Sequence, residues 1–252
     1  HLVVNAAALT TLDVCERNPS LAYLLNARAV AIVAEYCTRT DTSLLQISTD
    51  HFYTGDSDAL HDEEAPVRLI NEYARSKYAG EQHACVAPKS LVIRTNVTGW
   101  RWWKGRTTFL EWAIDSLNRG EKITAFEDYF TSTIDSNSLA RAAINLSLGG
   151  YHGLFNVACR EVSSKMMFIT LLAKKLGFGV TNIVEGSVGL LGTNRAESCG
   201  LAVSKAERAL GYRLPDAGQV IDFLLAGEDT MRHDARSFTL VVLGIVCGLV
   251  WG

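Results

Sequence analysis

Three short apolar runs constrain this chain more than anything else in it. Residues 2–5 (LVVN), 43–48 (SLLQIS) and 91–95 (LVIRT) are strand-length and show little alternation of polar and apolar positions. A strand that is apolar on both faces must be covered on both, as in a parallel sheet flanked by helices. The segments between have helical spacing. Pro19 opens a helix running to about Cys37, with Leu21, Leu24, Leu25, Val30, Ile32 and Val33 as its buried stripe. Residues 71–86 form a second helix. Strands alternating with helices give an α/β fold.

From about Gly99 the pattern changes. A loop rich in Gly, Trp and Arg (GWRWWKGR) leads to a helix at 107–118 and a short segment at 123–126. Further helices are expected at 137–148, 163–176, 204–210 and 218–225. Ser163 and Ser204 are placed to cap two of them, and Gly149 and Gly177 to stop two. The chain therefore divides into a parallel-sheet region (1–98), a smaller α+β lobe with returns to the sheet (99–230) and an apolar tail (231–252).

Composition excludes several classes of protein. With 24 basic and 27 acidic residues, a formal charge of -3 and no long block of either sign, nucleic acid is not an expected partner. Attraction to an anionic membrane surface is not expected either. The uncharged run 237–252 is shorter than the roughly 20 apolar residues that span a bilayer, so a terminal strand is at least as good a reading as an anchor. The opening run reads as a strand rather than a secretory leader. Six widely spaced cysteines show no metal-ligand spacing, so free thiols in a reducing, cytoplasmic setting and no metal are expected. The sequons at Asn96 and Asn145 fall in a strand end and a helix, where chance explains them.

The strongest chemical signal is Tyr73-Ala-Arg-Ser-Lys77. Positions i and i+4 of a helix share a face, so phenol and ammonium reach the same space. A free tyrosine has a pKa near 10, and a neighbouring cation should favour its phenolate. A ketone receiving hydride needs a proton donor beside its oxygen, which such a pair supplies. Taken alone, the spacing is more often an ordinary amphipathic helix face. Ser48-Thr49-Asp50 ends the preceding strand, where the ligand crevice of an open α/β sheet lies. Without further context, Thr49 and Asp50 would only shape a turn. His51 reads as a turn residue. The Trp100, Trp102 and Trp103 cluster, with Arg101, Lys104 and Arg106, reads as a lid or diphosphate contact.

Several stretches in order make the chain resemble the dTDP-4-dehydrorhamnose reductase family of extended short-chain dehydrogenases. They are VVNAAALTTLDVCERNP (3–19), LLNARAVAIVAEYC (24–37), ISTDHFYTG (47–55), NEYARSKYAGE (71–81), VIRTNVTGW (92–100), FNVA (155–158) and LAVSKAERALGYRLP (201–215). The resemblance implies a Rossmann-like parallel sheet with a small C-terminal α+β substrate lobe. It implies NADPH or NADH as cofactor and a nucleotide-linked keto-sugar as substrate. Tyr73 would be the general acid, and Lys77 would lower its pKa and hold the nicotinamide ribose. Thr49 would hydrogen-bond the substrate carbonyl, with Asp50 shaping the site. Ala6, Ala7 and Thr10 would lie along the cofactor, with Asn26 beside them, and Asn96 and Trp100 would face the substrate.

The sequence departs from that family in two places. The family's glycine-rich phosphate turn and first strands have no match, so the chain reads as truncated before its fourth strand. Such a chain would have impaired activity and an open sheet edge that favours a homodimer. After Arg94-Thr95-Asn96 comes Val97-Thr98-Gly99, where the family often places an aromatic residue sooner. Rival readings are an epimerase or dehydratase of the same superfamily, and a non-catalytic subunit resembling the regulatory β subunit of methionine adenosyltransferase.

Overall fold

The computed structural model describes residues 1–101, 105 and 107–233. Trp102, Trp103, Lys104 and Arg106 of the expected lid, and the tail from residue 234, lie outside the described residues. The four-stranded central sheet is wholly parallel, formed by Leu2–Asn5 (β1), Ser43–Ile47 (β2), Ser90–Arg94 (β3) and Gly153–Asn156 (β4), in that order across the sheet. β1 is an edge strand, with Leu2 and Val4 exposed.

Both faces of β2 and β3 are covered, as their composition demands. Leu44 and Val92 pack on Val30, Ala34 and Cys37 of helix Ala29–Arg39 (α1) and Ala84 of helix Glu72–Cys85 (α2). Their chain neighbours Leu45, Leu91 and Ile93 point the other way. There, with Phe155, they pack on Leu139, Ala142, Ala143 and Leu146 of helix Ser136–Leu148 (α3). Each fully buried leucine or isoleucine contributes roughly 2 kcal/mol of burial. A second core lies between helices Phe109–Asn118, Lys165–Lys175 and Ala217–His233, with Ile123, Ala125 and Ile183 from a parallel strand pair.

The helix expected from Pro19 to Cys37 is continuous but not uniform. Pro19–Tyr23 runs into a π-helical turn, Leu24–Arg28, before α1 begins. The wider turn carries Asn26, whose side chain is buried. Gly80 of α2 faces that turn, and a Cβ there would lie 1.9 Å from the Asn26 carbonyl oxygen. A mid-helix glycine costs about 1 kcal/mol in propensity; here it permits the close approach.

The structure corrects three local expectations. Ser164, not Ser163, caps Lys165–Lys175 by accepting from Met167 N, because Ser163–Ser164 first forms a strand with Phe130–Thr131. Ser204 is the first residue of its helix, after Val203, and the cap lacks a side-chain bond. A short helix, Leu12–Arg17, also precedes Pro19, where no element was expected. Among the described residues, no helix is long and apolar enough to cross a membrane.

Candidate active site

The site lies where β2 and β3 end and α2 begins. Asn71 caps α2 by accepting from Ala74 N at 2.8 Å, which sets Tyr73, Lys77 and Glu81 on one face. Tyr73 is 8% exposed and packs with Leu12, Cys15 and Ala22. Thr49, leaving β2, brings its hydroxyl close enough to the phenol to favour the phenolate. Lys77 is buried, and its Nζ donates to the Ile47 carbonyl at 2.8 Å. Tyr73 and Lys77 thus both reach the carboxyl end of β2, one beside Thr49 and the other at Ile47.

Its electrostatics differ from the simple expectation. The Tyr73 pKa is raised by burial, only partly offset by the Thr49 hydrogen bond, and Asp50 raises it further. The groups that shift it most do not include Lys77, whose ammonium donates to Ile47 O. Burial lowers Lys77 itself to about 8, against the opposing field of Glu81. Tyr73 thus stands as a protonated phenol at neutral pH.

Asp50 is buried at the centre of a second group. Burial raises its pKa to about 7, against a hydrogen bond from Asn96 and the charge of Lys165. Asn96 Nδ2 donates to Asp50 Oδ2 at 2.8 Å, and Thr133 Oγ1 donates to Asn96 Oδ1 at 2.9 Å. His51 is more than a turn residue. Its ring meets Tyr73 edge-on at 5.5 Å, its Nε2 lies 2.8 Å from the Tyr129 hydroxyl, and its buried Nδ1 has no partner among the described residues. Burial, then the charges of Lys165 and Arg195, lower its pKa to about 4.

The residues expected along the cofactor separate into two kinds. Ala6 and Thr10 are exposed and Ala7 is half-buried, on the loop at the carboxyl end of β1. Asn26 is a staple for that loop: it accepts from Leu9 N at 2.8 Å and donates to Leu9 O and Ser76 Oγ, both at 3.0 Å. This ties the loop to α2 beside Tyr73. Among the described residues Lys77 has one acceptor, Ile47 O, which leaves ammonium donors that could meet ribose hydroxyls. The donor set at this end fits the nicotinamide-ribose half of a dinucleotide.

Next to Asp50, a cavity of about 470 Å³ is lined by Asn96, Trp100, Phe109, Thr133, Ser136 and Lys165, among others. Trp100 also donates its indole N–H to Leu224 O at 2.8 Å. Thr133, Tyr129 and Lys165 were not singled out from the sequence. Their placement depends on short strand pairings, Asn96–Thr98 with Thr133–Asp135 and Ser163–Ser164 with Phe130–Thr131.

A parallel sheet with a Tyr–Lys pair and a hydroxyl at its carboxyl edge is the arrangement of an NAD(P)-dependent oxidoreductase. The chain belongs to the RmlD substrate binding domain family, which matches residues 1–218. It is 31% identical over 226 residues to the probable low-salt glycan biosynthesis reductase Agl14 of Haloferax volcanii, covering 85% of this chain and 73% of that protein. It is 32% identical over 169 residues to the dTDP-4-dehydrorhamnose reductase of Mycobacterium tuberculosis, covering 64% of this chain and 54% of that one. The fold superposes with a TM-score of 0.75 on the crystal structure of a hypothetical dTDP-4-dehydrorhamnose reductase from Sulfolobus tokodaii, 27% identical, covering 85% and 75% of the two chains. The Bacillus anthracis dTDP-4-dehydrorhamnose reductase in complex with NADP shares the fold, with a TM-score of 0.81 at 24% identity over 90% and 80%.

Proposed function

We propose that this protein acts in NAD(P)H-dependent reduction of a keto carbon on a nucleotide-linked sugar. The observation that carries the reading is the convergence of Thr49, Tyr73 and Lys77 at the carboxyl edge of β2, in a chain whose relatives bear reductase names. Residues 1–98 then supply cofactor contacts and chemistry, and 99–230 supply most of the substrate contacts. The nicotinamide would supply a hydride to the keto carbon. Thr49 holds the carbonyl oxygen, and Tyr73 delivers its proton to that oxygen. A phenol kept protonated by burial suits this step, since it must give a proton rather than take one. Lys77, charged below about pH 8, would hold the ribose hydroxyls. Ala6, Ala7 and Thr10 line the nicotinamide side of this arrangement, while Asn26 holds their loop in place.

The test is NADPH consumption with a dTDP-4-keto-6-deoxy sugar as substrate. The parent protein should oxidise one NADPH per sugar reduced, and Tyr73→Phe should be slower by about 100-fold or more with unchanged fold. Sugar conversion without net NADPH loss would instead assign an epimerase. Neither conversion nor NADPH loss would reject the reading for this polypeptide.

A further inference from the structure

The cavity beside Asp50 contains a cation that the proton chemistry leaves unused. Lys165 is the first residue of Lys165–Lys175, and its backbone N–H donates to Tyr129 O at 3.0 Å. Its ammonium sits 4.8 Å from the Phe109 ring centroid and 5.5 Å from that of Tyr129. Its one side-chain hydrogen bond among the described residues is a long one, 3.4 Å to Thr133 Oγ1. Among the described residues it forms no ion pair. Asp50 acts on it only through space.

The described wall of the cavity is one-sided in charge. Lys165 and Arg101 both line it, together with the hydroxyls of Thr98, Thr107, Thr108 and Ser136, and no carboxylate does. A half-buried ammonium with no ion-pair partner among the described residues can take up an anionic ligand that brings a counter-charge. The aromatic faces of Phe109 and Tyr129 hold the cation in place without neutralising it.

We propose that this cavity is an anion subsite and that Lys165 is its specificity-determining residue, receiving phosphoryl or carboxylate oxygens of the substrate. This rests on the reading of the neighbouring centre as a sugar-nucleotide reductase. The hydrogen-bonded chain Lys165–Thr133–Asn96–Asp50 links the ammonium to the residue next to Thr49. Two sources share the chemistry: the diphosphate of the nucleotide, and an acidic group on the sugar.

Calorimetric titration without cofactor tests this, using dTDP, thymidine and glucuronate as probes. The parent protein should bind dTDP or glucuronate, and thymidine much more weakly. Lys165→Met should weaken that binding about 10- to 100-fold, the worth of a hydrogen bond to a charged group, while Lys165→Arg should retain most of it. Loss of dTDP affinity assigns the diphosphate, and loss confined to glucuronate assigns the sugar acid. Parent-like binding of both by a folded Lys165→Met, or no binding of either by the parent, overturns the subsite. If Lys165→Met fails to fold, parent affinity for dTDP and glucuronate that does not fall with added salt overturns it instead. Because no turnover is read, a protein that binds dTDP through Lys165 but never oxidises NADPH would keep the subsite and lose the reductase reading.

Discussion

Two polar networks meet at the edge of the sheet, and they are built to opposite standards. Beneath α2, Glu81 accepts from Arg94 Nη2 at 2.7 Å, Arg94 Nε at 3.1 Å and Ser48 Oγ at 2.8 Å. Arg94 Nη1 donates to Tyr53 OH at 2.7 Å, and the guanidinium lies over the Phe52 ring. Both charges are almost fully buried, and each faces its opposite. At the other group, Asp50 is buried and His51 and Lys165 are half-buried, yet among the described residues none is in an ion pair and His51 Nδ1 has no hydrogen-bond partner. A closed network holds a fold in one geometry. An open one stores unmet hydrogen-bonding and charge capacity, which a ligand can use.

The contrast is broken most directly by unpairing the closed network. Glu81→Gln leaves a buried guanidinium without its counter-charge and should cost about 3–5 kcal/mol in urea unfolding. Replacing both partners by methionine should recover most of that loss, since two buried charges leave together. A loss below about 1 kcal/mol for Glu81→Gln would mean that the pair is not sealed from water, and the distinction between the networks would go.

The open network should betray itself through pH. Asp50 has a folded pKa near 7, above its unfolded value, so the native state holds the proton more tightly and stability falls as pH rises from about 4 to 7. His51 has a folded pKa near 4, below its unfolded value, so the native state resists protonation and stability falls as pH drops from about 6.5 to 4. Over that shared window the two slopes oppose each other. Asp50→Asn should unmask the His51 trend, making the protein lose stability on acidification. His51→Gln should unmask the reverse, each by on the order of 3 kcal/mol across the window. Urea midpoints near pH 5 and pH 7 read both. Equal profiles for parent and variants would show that water reaches these groups.

The closed network's elements were largely legible in the sequence, and those of the open one only in part. Strands β2 and β3 announce themselves as short apolar runs, and Tyr73, Lys77 and Glu81 share a helix face by local periodicity. Thr49 and Asp50 follow from the end of β2. Lys165 and Thr133 do not, because they reach Asp50 through two- and three-residue strands paired across distant parts of the chain. No periodicity can be read from segments that short. The π-turn that positions Asn26 was equally hidden, since one extra residue per turn leaves the apolar stripe nearly unchanged. The sign of the Tyr73 shift was missed for another reason: residue spacing shows who is near, but not that burial outweighs the nearby charge.

Trp100 sits at the boundary between these cases and gives the finest test. The sequence marks it as a substrate contact, and the structure puts it in the cavity wall while also bonding its indole N–H to Leu224 O, at 2.8 Å, on helix Ala217–His233. The first role predicts a change in substrate affinity on substitution, and the second a change in stability. Trp100→Phe keeps an aromatic surface but removes the donor, leaving the Leu224 carbonyl without its indole partner. About 1 kcal/mol of stability should be lost, with KM altered less than by Lys165→Met. If KM instead rises sharply at unchanged urea midpoint, the indole belongs to the ligand, and the open network extends further toward the second core than its charges alone suggest.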